Sequence, residues 1–322
     1  MTVSRSPREI AKVAETLERH YESCLLCPRG CAADRRRGKA GFCGLPDHAV
    51  IASALPHFGE EPPLSGTGGA GTIFFSSCNL RCVFCQNHQI SHGGMGRRVA
   101  VEELSRIMLR LEEKGCHNIE WVTPTPQLPA ILGALSLARG KGLTLPVVYN
   151  CGGYENPEVI ALLDGIVDVY LPDFKFGGDE AAHRLAGVRD YVAHARASIV
   201  EMVRQAGPGL DTEGDIARRG VIVRHLVLPG MAENTKEVLR WIGEHLSLSV
   251  PLSLMGQYTP IPAVARDPVL GGKVGKKAYE EIVTLALDMG FEYLFVQDLE
   301  GKPLIPDFRR EEPFEWEGRG GS

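Results

Sequence analysis

Residues 77–87, SCNLRCVFCQN, set Cys78, Cys82 and Cys85 in a C-x3-C-x2-C spacing directly after an apolar run, GTIFFS, at 71–76. The run reads as a short buried strand, so the three thiols lie on a loop at a strand end. Three thiolates placed in this way can bind three corners of a cubic 4Fe-4S cluster and leave one iron without a protein ligand. Cluster sites ordinarily use four cysteines, and an open metal position distinguishes a reactive site from a closed structural one. The competing readings are a zinc site completed by His88 or His92, or three unrelated core thiols. The spacing is not a usual zinc pattern.

Working outward toward the N-terminus, a second cysteine group follows the same logic with a different outcome. Cys24, Cys27, Cys31 and Cys43 in CLLCPRGCAADRRRGKAGFC form a knuckle of four thiols, a closed ligand set for a structural zinc or an auxiliary iron–sulfur cluster. Spacing does not choose between them, because both accept four thiolates. Before the knuckle, Ile10, Val13, Ala14, Leu17 and Tyr21 recur at helical spacing over 7–22, with Ser6 as cap and Pro7 in the first turn. The basic run 35–37 with Lys39 reads as a solvated loop. Residues 46–70 are rich in Gly and Pro and read as loop apart from a short strand at 50–54; Glu60 and Glu61 fit a surface turn, the alternative being an acidic pair that orients substrate or a metal. Cys116 and Cys151 read as packed thiols.

Downstream, strands expected at 71–76, 118–123, 144–149, 167–171, 220–227, 250–255 and 293–297 alternate with helical patterns at 100–114, 126–140, 156–163, 190–205, 233–246 and 275–289. This alternation predicts an α/β fold with parallel strands and right-handed crossovers. Such units would suit a barrel, complete or not, with its chemistry on the loops at the strand C-termini. Polar residues fall at those ends: Cys78, then Thr123 and Thr125, Asn150, Asp173 with Lys175, Arg224 and His225 within the fifth strand, and Gln257 with Tyr258. The division expected is 1–70 for the helix, knuckle and loop, 71–308 for the barrel, and a mobile tail over 309–322.

Composition sets bounds. A 44% hydrophobic, 23% charged chain of 322 residues is ordinary for a globular protein. The net charge of −5 disfavours nucleic acid and polybasic membrane anchoring. No apolar stretch reaches membrane-span length, so a cytoplasmic location is expected, and there nine cysteines point to metal rather than disulfides.

The three-cysteine spacing, with Phe84 just before the last thiol, resembles the signature of the radical S-adenosylmethionine (SAM) superfamily. Over residues 24–308 the segments CLLCPRGC, GEEPPLSGTGGAGTIFFSSCNLRCVFCQN, VTPTP, YNCGGYE, VYLPDFKF, RHLVLPG and MGQYTP resemble the pyruvate formate-lyase activating enzyme-like proteins. They are most similar to an uncharacterised branch with an N-terminal cysteine knuckle. The resemblance implies an incomplete (β/α)6 TIM-like barrel, a 4Fe-4S cluster on Cys78, Cys82 and Cys85, and SAM on the open iron. Phe84 would shield the cluster and help place the adenine. Thr123 and Thr125 would stand where many relatives carry a Gly-Gly-Glu run for the methionine amino group. Asn150 and His225 would lie near the ribose, and Asp173 and Lys175 would hold the methionine end, the lysine facing its carboxylate. The plainer alternatives are a surface ion pair for Asp173 and Lys175, a hydrogen-bonded core histidine for His225, and a loop cap for Asn150.

The activity so implied is that of a radical SAM oxidoreductase that activates a glycyl-radical enzyme, with a flavodoxin or ferredoxin as electron donor. Two other readings compete: the same chemistry on a small molecule, peptide or RNA, and a non-catalytic iron–sulfur or zinc scaffold or electron carrier. Activases of the founding type are shorter and lack the knuckle.

Overall fold

The computed structural model describes residues 5–299 and 305–315. The first strands are β1 (Ala49–His57), β2 (Ala70–Phe75), β3 (Arg97–Val99), β4 (Ile119–Val122), β5 (Val147–Cys151) and β6 (Val169–Pro172). There follow β7 (Leu210–Glu213), β8 (Ile216–Val221), β9 (Val223–Leu226), β10 (Leu252–Met255) and β11 (Leu294–Val296). Between them lie α1 (Pro7–Glu18), α2 (Pro62–Ser65), α3 (His88–Ser91), α4 (Val101–Glu113) and α5 (Leu128–Gly140). The later helices are α6 (Pro157–Ala161), α7 (Asp179–Ala186), α8 (Tyr191–Ala206), α9 (Ala232–His245) and α10 (Lys276–Asp288).

One sheet runs β3-β1-β2-β4-β5-β6-β8-β7 and a second runs β11-β10-β9. The strands β2, β4, β5, β6 and β8 are parallel neighbours, as are β9, β10 and β11. Every residue of β2, β4 and β6 is buried, as expected of parallel strands covered on both faces. The strand expected at 220–227 is in fact two. Gly220, at φ 139°, would bring a Cβ to 2.3 Å from the Gly209 carbonyl oxygen, so only glycine allows β7 and β8 to approach there. After Ile222 the chain leaves β6 for the second sheet, and a bridge between Asp173 and Arg224 joins the two. The polar strand ends therefore gather at one edge.

Residues of the N-terminal helix pack into the core of the later elements. Ser6 and Glu9 close a capping box on α1 with Pro7 in its first turn. Ile10, Val13 and Leu17 then join the same core as Ile73, Trp121 and Tyr149, and the Ser136 hydroxyl on α5 donates to the Pro7 carbonyl at 2.7 Å. β1 is nine residues long rather than a short strand within a loop, and pairs antiparallel with β2. The expectation of solvated charge also fails: the side chains of Glu60 and Glu61 are 7% and 6% exposed, and Arg35 is 1% exposed. Phe314, expected in the mobile tail, instead packs with Phe308 against Phe74; residues 316–322 lie outside the described residues. α7 and the β7–β8 hairpin were not anticipated. No helix among the described residues is long and apolar enough to cross a membrane.

Candidate cluster and cofactor site

β2 ends at Phe75, and the chain turns at Ser77, whose φ of 68° few non-glycine residues adopt. Two bonds hold that turn: the Ser77 amide donates to the Ile90 carbonyl at 2.9 Å, and its hydroxyl donates to the Cys43 carbonyl. The loop beyond docks on the end of α7, where Val83 and Arg81 amides donate to the Leu185 and Ala186 carbonyls. Within it the Leu80 amide donates to Cys78 Sγ at 3.3 Å, and Cys85 Sγ lies 3.3 Å from Ser91 Oγ.

Burial pushes the Cys78 thiol up to about 12 and raises those of Cys82 and Cys85, while the Lys175 ammonium pulls all three down. That ammonium is itself held by Asp173 in an ion pair with both side chains 19% exposed. Burial opposes the charge on Lys175, yet Asp173 and Cys82 outweigh it and raise its pKa. The surface-pair alternative for Asp173 and Lys175 is thereby replaced by a largely buried one. No three of the described His, Cys, Asp or Glu side chains converge closely enough to hold a single metal ion. Three soft thiols on one loop with a cation beside them match the corners of an anionic iron–sulfur cluster better than a lone zinc.

A glycine brings the next loops in. Gly153, at φ 78°, would place a Cβ 2.2 Å from the Asp173 carbonyl oxygen. Tyr191, buried on α8, ties these loops together. Its hydroxyl accepts from the Lys175 amide at 2.8 Å and lies 3.0 Å from the Gly152 and Asp173 carbonyls.

The remaining expected residues divide. Phe84 is buried and meets Phe176 edge-on at 6.3 Å. Asn150 donates through Nδ2 to Glu120 Oε1 at 2.6 Å and is half-buried. Thr123 has φ 59°, an outlier for a β-branched residue, and its amide donates to the Asn150 carbonyl at 2.9 Å. Thr125 is 1% exposed and its hydroxyl is committed to Glu155 Oε2 at 2.6 Å, with Tyr149 at 3.0 Å. His225 is fully buried: Nδ1 meets the Phe174 carbonyl at 2.7 Å and Nε2 meets Thr235 Oγ1 at 2.9 Å. Burial lowers its pKa to about 4. Both ring nitrogens of His225 are thus engaged inside the protein, as is the Thr125 hydroxyl.

The sequence reading passed over Glu155 and Glu120 and did not pair Arg224 with Glu60 and Glu61. Glu155 is raised to about 7 by burial and lies close enough to bias both Cys27 and Cys78. Arg224 makes ion pairs with Glu60 and Glu61. Glu120, on β4, has its pKa raised by burial and by Glu60. These residues all fall inside the quoted segments GEE, YNCGGYE and RHLVLPG, or within a strand whose apolar flanks concealed them.

Comparison with known proteins adds an independent view. The sequence profile of the Radical SAM superfamily matches residues 72–242. The uncharacterized protein MJ0674 of Methanocaldococcus jannaschii is 30% identical over 283 residues, covering 85% of this chain and 75% of that protein. Among solved structures, Streptococcus suis SuiB bound to S-adenosylmethionine aligns with a TM-score of 0.45 at 10% identity. The alignment covers 69% of this chain and 48% of SuiB, so the chain spans about half of that protein's length. HydG, a maturase of the [FeFe]-hydrogenase, gives 0.48 at 13% identity, covering 91% and 63%. Methylornithine synthase (PylB) gives 0.47 at 14%, covering 92% and 74%.

Proposed function

Because the chain belongs to the radical SAM superfamily, we propose that it cleaves S-adenosylmethionine reductively at the 78–85 loop and abstracts hydrogen from a glycine of a glycyl-radical enzyme. Its cofactors are a 4Fe-4S cluster and SAM. When bound, they supply one-electron cleavage to methionine and a 5′-deoxyadenosyl radical.

The chain's own residues would then act as follows. Cys78, Cys82 and Cys85 hold the cluster by three corners. Lys175, fixed by Asp173 and by the Tyr191 hydroxyl on its amide, presents a charge to the methionine carboxylate. Asn150 has its amide nitrogen engaged by Glu120, which leaves its carbonyl oxygen for a ribose hydroxyl. Thr123 offers backbone groups in place of the missing Gly-Gly-Glu run. Phe84, buried against Phe176, excludes water beside the cluster. The observation that carries this reading is a mostly buried ammonium within electrostatic reach of three thiols, one buried and two half-buried, on the loop after a parallel strand.

The finer points rest on the motif resemblance: the incomplete (β/α)6 barrel, a cytoplasmic setting, a flavodoxin or ferredoxin donor, and a protein glycine as hydrogen source. Anaerobic protein given reduced flavodoxin, SAM and a glycine-deuterated candidate glycyl-radical enzyme should transfer deuterium into 5′-deoxyadenosine. Cleavage without deuterium transfer would move the substrate to a small molecule, peptide or RNA; no cleavage at all would defeat the radical reading.

A further inference from the structure

We infer that residues 305–315 are an internal stand-in for a partner polypeptide. They fill a seat on the inner face of the sheet beside the cofactor site, and the partner segment that carries the target glycine enters by displacing them. The partner's identity rests on the glycyl-radical reading above; the occupied seat does not.

The seat begins with strand alternation. Ile73, Phe75, Trp121 and Tyr149 share the main core with Leu104, Met108 and Leu135 of α4 and α5. Thr72, Phe74, Glu120 and Val122 therefore point to the opposite, inner face. There Thr72 Oγ1 and Asn150 Nδ2 both donate to Glu120, at 3.2 and 2.6 Å. Parallel strands need cover on both faces. At the C-terminal ends of β2 and β4 that cover comes from Phe308 and Phe314, which form a small apolar cluster with Phe74, Ile90 and Val122. Each of the two rings meets Phe74 at 5.3 Å, and Phe314 meets the His57 ring edge-on at 4.5 Å. Val122 pairs in register with Asn150, so the seat adjoins the residue assigned above to the ribose.

The segment in the seat is built like a bound peptide. It contains no helix or strand, and Pro306, Phe308, Pro313 and Phe314 are buried while 309–312 are exposed. The Asp307 amide donates to the Pro313 carbonyl at 2.9 Å, which closes the segment on itself. Arg309 and Arg310 make ion pairs within it, on Asp307 and Glu315. Gln89 ties it to the body: Nε2 donates to Asp307 Oδ1 at 3.0 Å, and Oε1 accepts the Phe308 amide at 2.7 Å. That glutamine lies on α3, directly after the cysteine loop. Aromatic anchors in a pocket, with one amide side chain reading backbone and carboxylate, are how a groove holds a partner. An attachment of so few contacts opens without unfolding the sheet beneath it. The occupant that fits is therefore an extended polypeptide with an acidic residue directly before an aromatic anchor, as Asp307 precedes Phe308.

The seat is tested without SAM or reductant, using the full-length chain and a fluorescein-labelled peptide of residues 305–315, IPDFRREEPFE. The variant F308A/F314A, with its seat vacated, should bind this peptide about tenfold more tightly than the parent, whose own segment blocks it. Adding Gln89→Ala should weaken that binding. Equal binding to parent and variant, or binding to neither, overturns the seat. The unaltered protein supplies the second measurement. A candidate glycyl-radical enzyme should speed hydrogen exchange at the Asp307 and Phe308 amides about tenfold while β2 stays protected. Unchanged exchange overturns the displacement. Loss of SAM cleavage with peptide binding intact counts against the radical reading and not against the seat.

Discussion

The two cysteine groups lie side by side and differ in almost every other respect. The 78–85 loop has three thiols at a strand end, packed on α7 and facing the Lys175 ammonium. The 24–43 knuckle has four, one of them exposed, wrapped around two arginines that find carbonyls and an aromatic face instead of carboxylates. The first set is one ligand short and carries a charge suited to an amino acid carboxylate. The second is complete and has no such neighbour. The nearest fixed charge therefore differs between them: a lysine held by Asp173 beside the first set, and two arginines bound to carbonyls and an aromatic ring around the second.

The strongest way to break this contrast is Cys82→Ala. It should reduce 5′-deoxyadenosine formation to background while the variant keeps its fold, as product chromatography beside circular dichroism will read. Lys175→Met comes next. Losing the counter-charge should raise the KM for SAM about 10- to 100-fold, with partial rescue by Lys175→Arg. Stranding Asp173 should also cost about 3 kcal/mol of stability, measurable by urea denaturation.

Glu155 sharpens the comparison because it sits between the two groups. Its folded pKa of about 7 lies above the ordinary value of 4.5, so between those values the folded state holds more protons than the unfolded one. Stability accordingly falls as pH rises through that window, by up to about 3 kcal/mol. Glu155→Gln should flatten the dependence between pH 5 and 8; a parent and variant with equal slopes would locate the effect elsewhere. The smallest effect is expected at His225. His225→Gln should leave the KM for SAM within about twofold and cost about 1–2 kcal/mol through lost buried hydrogen bonds. A large rise in KM would return it to the cofactor site.

Much of this was legible in the sequence. The alternating apolar runs located the seven parallel-strand segments because strands buried on both faces leave continuous β-branched and aromatic stretches. The cysteine spacings and the Asp173–Lys175 pair also stood out. What escaped was set by tertiary contact. Glu60 and Glu61 beside Pro62 look like a surface turn until Arg224, more than 160 residues away, arrives as their partner. Arg35 reads as part of a solvated basic run, yet it turns inward to Pro126 while Arg36 and Arg37 stay outside. His225 lies at a strand position shared by ligand and core histidines, and its bonds to Thr235 and the Phe174 carbonyl are not visible in the sequence. β1 was understated because its Gly- and Pro-rich surroundings masked a strand that exists to pair with β2.

The central claim is that three side chains hold the cluster and SAM completes it. Electron–nuclear double resonance on the reduced protein, using SAM labelled with 15N in the amino group and 17O in the carboxylate, tests it most directly. The account predicts coupling of both labels to the cluster in the parent protein, and none in Cys82→Ala. A catalytic cluster whose spectrum ignores SAM in the parent protein would contradict it.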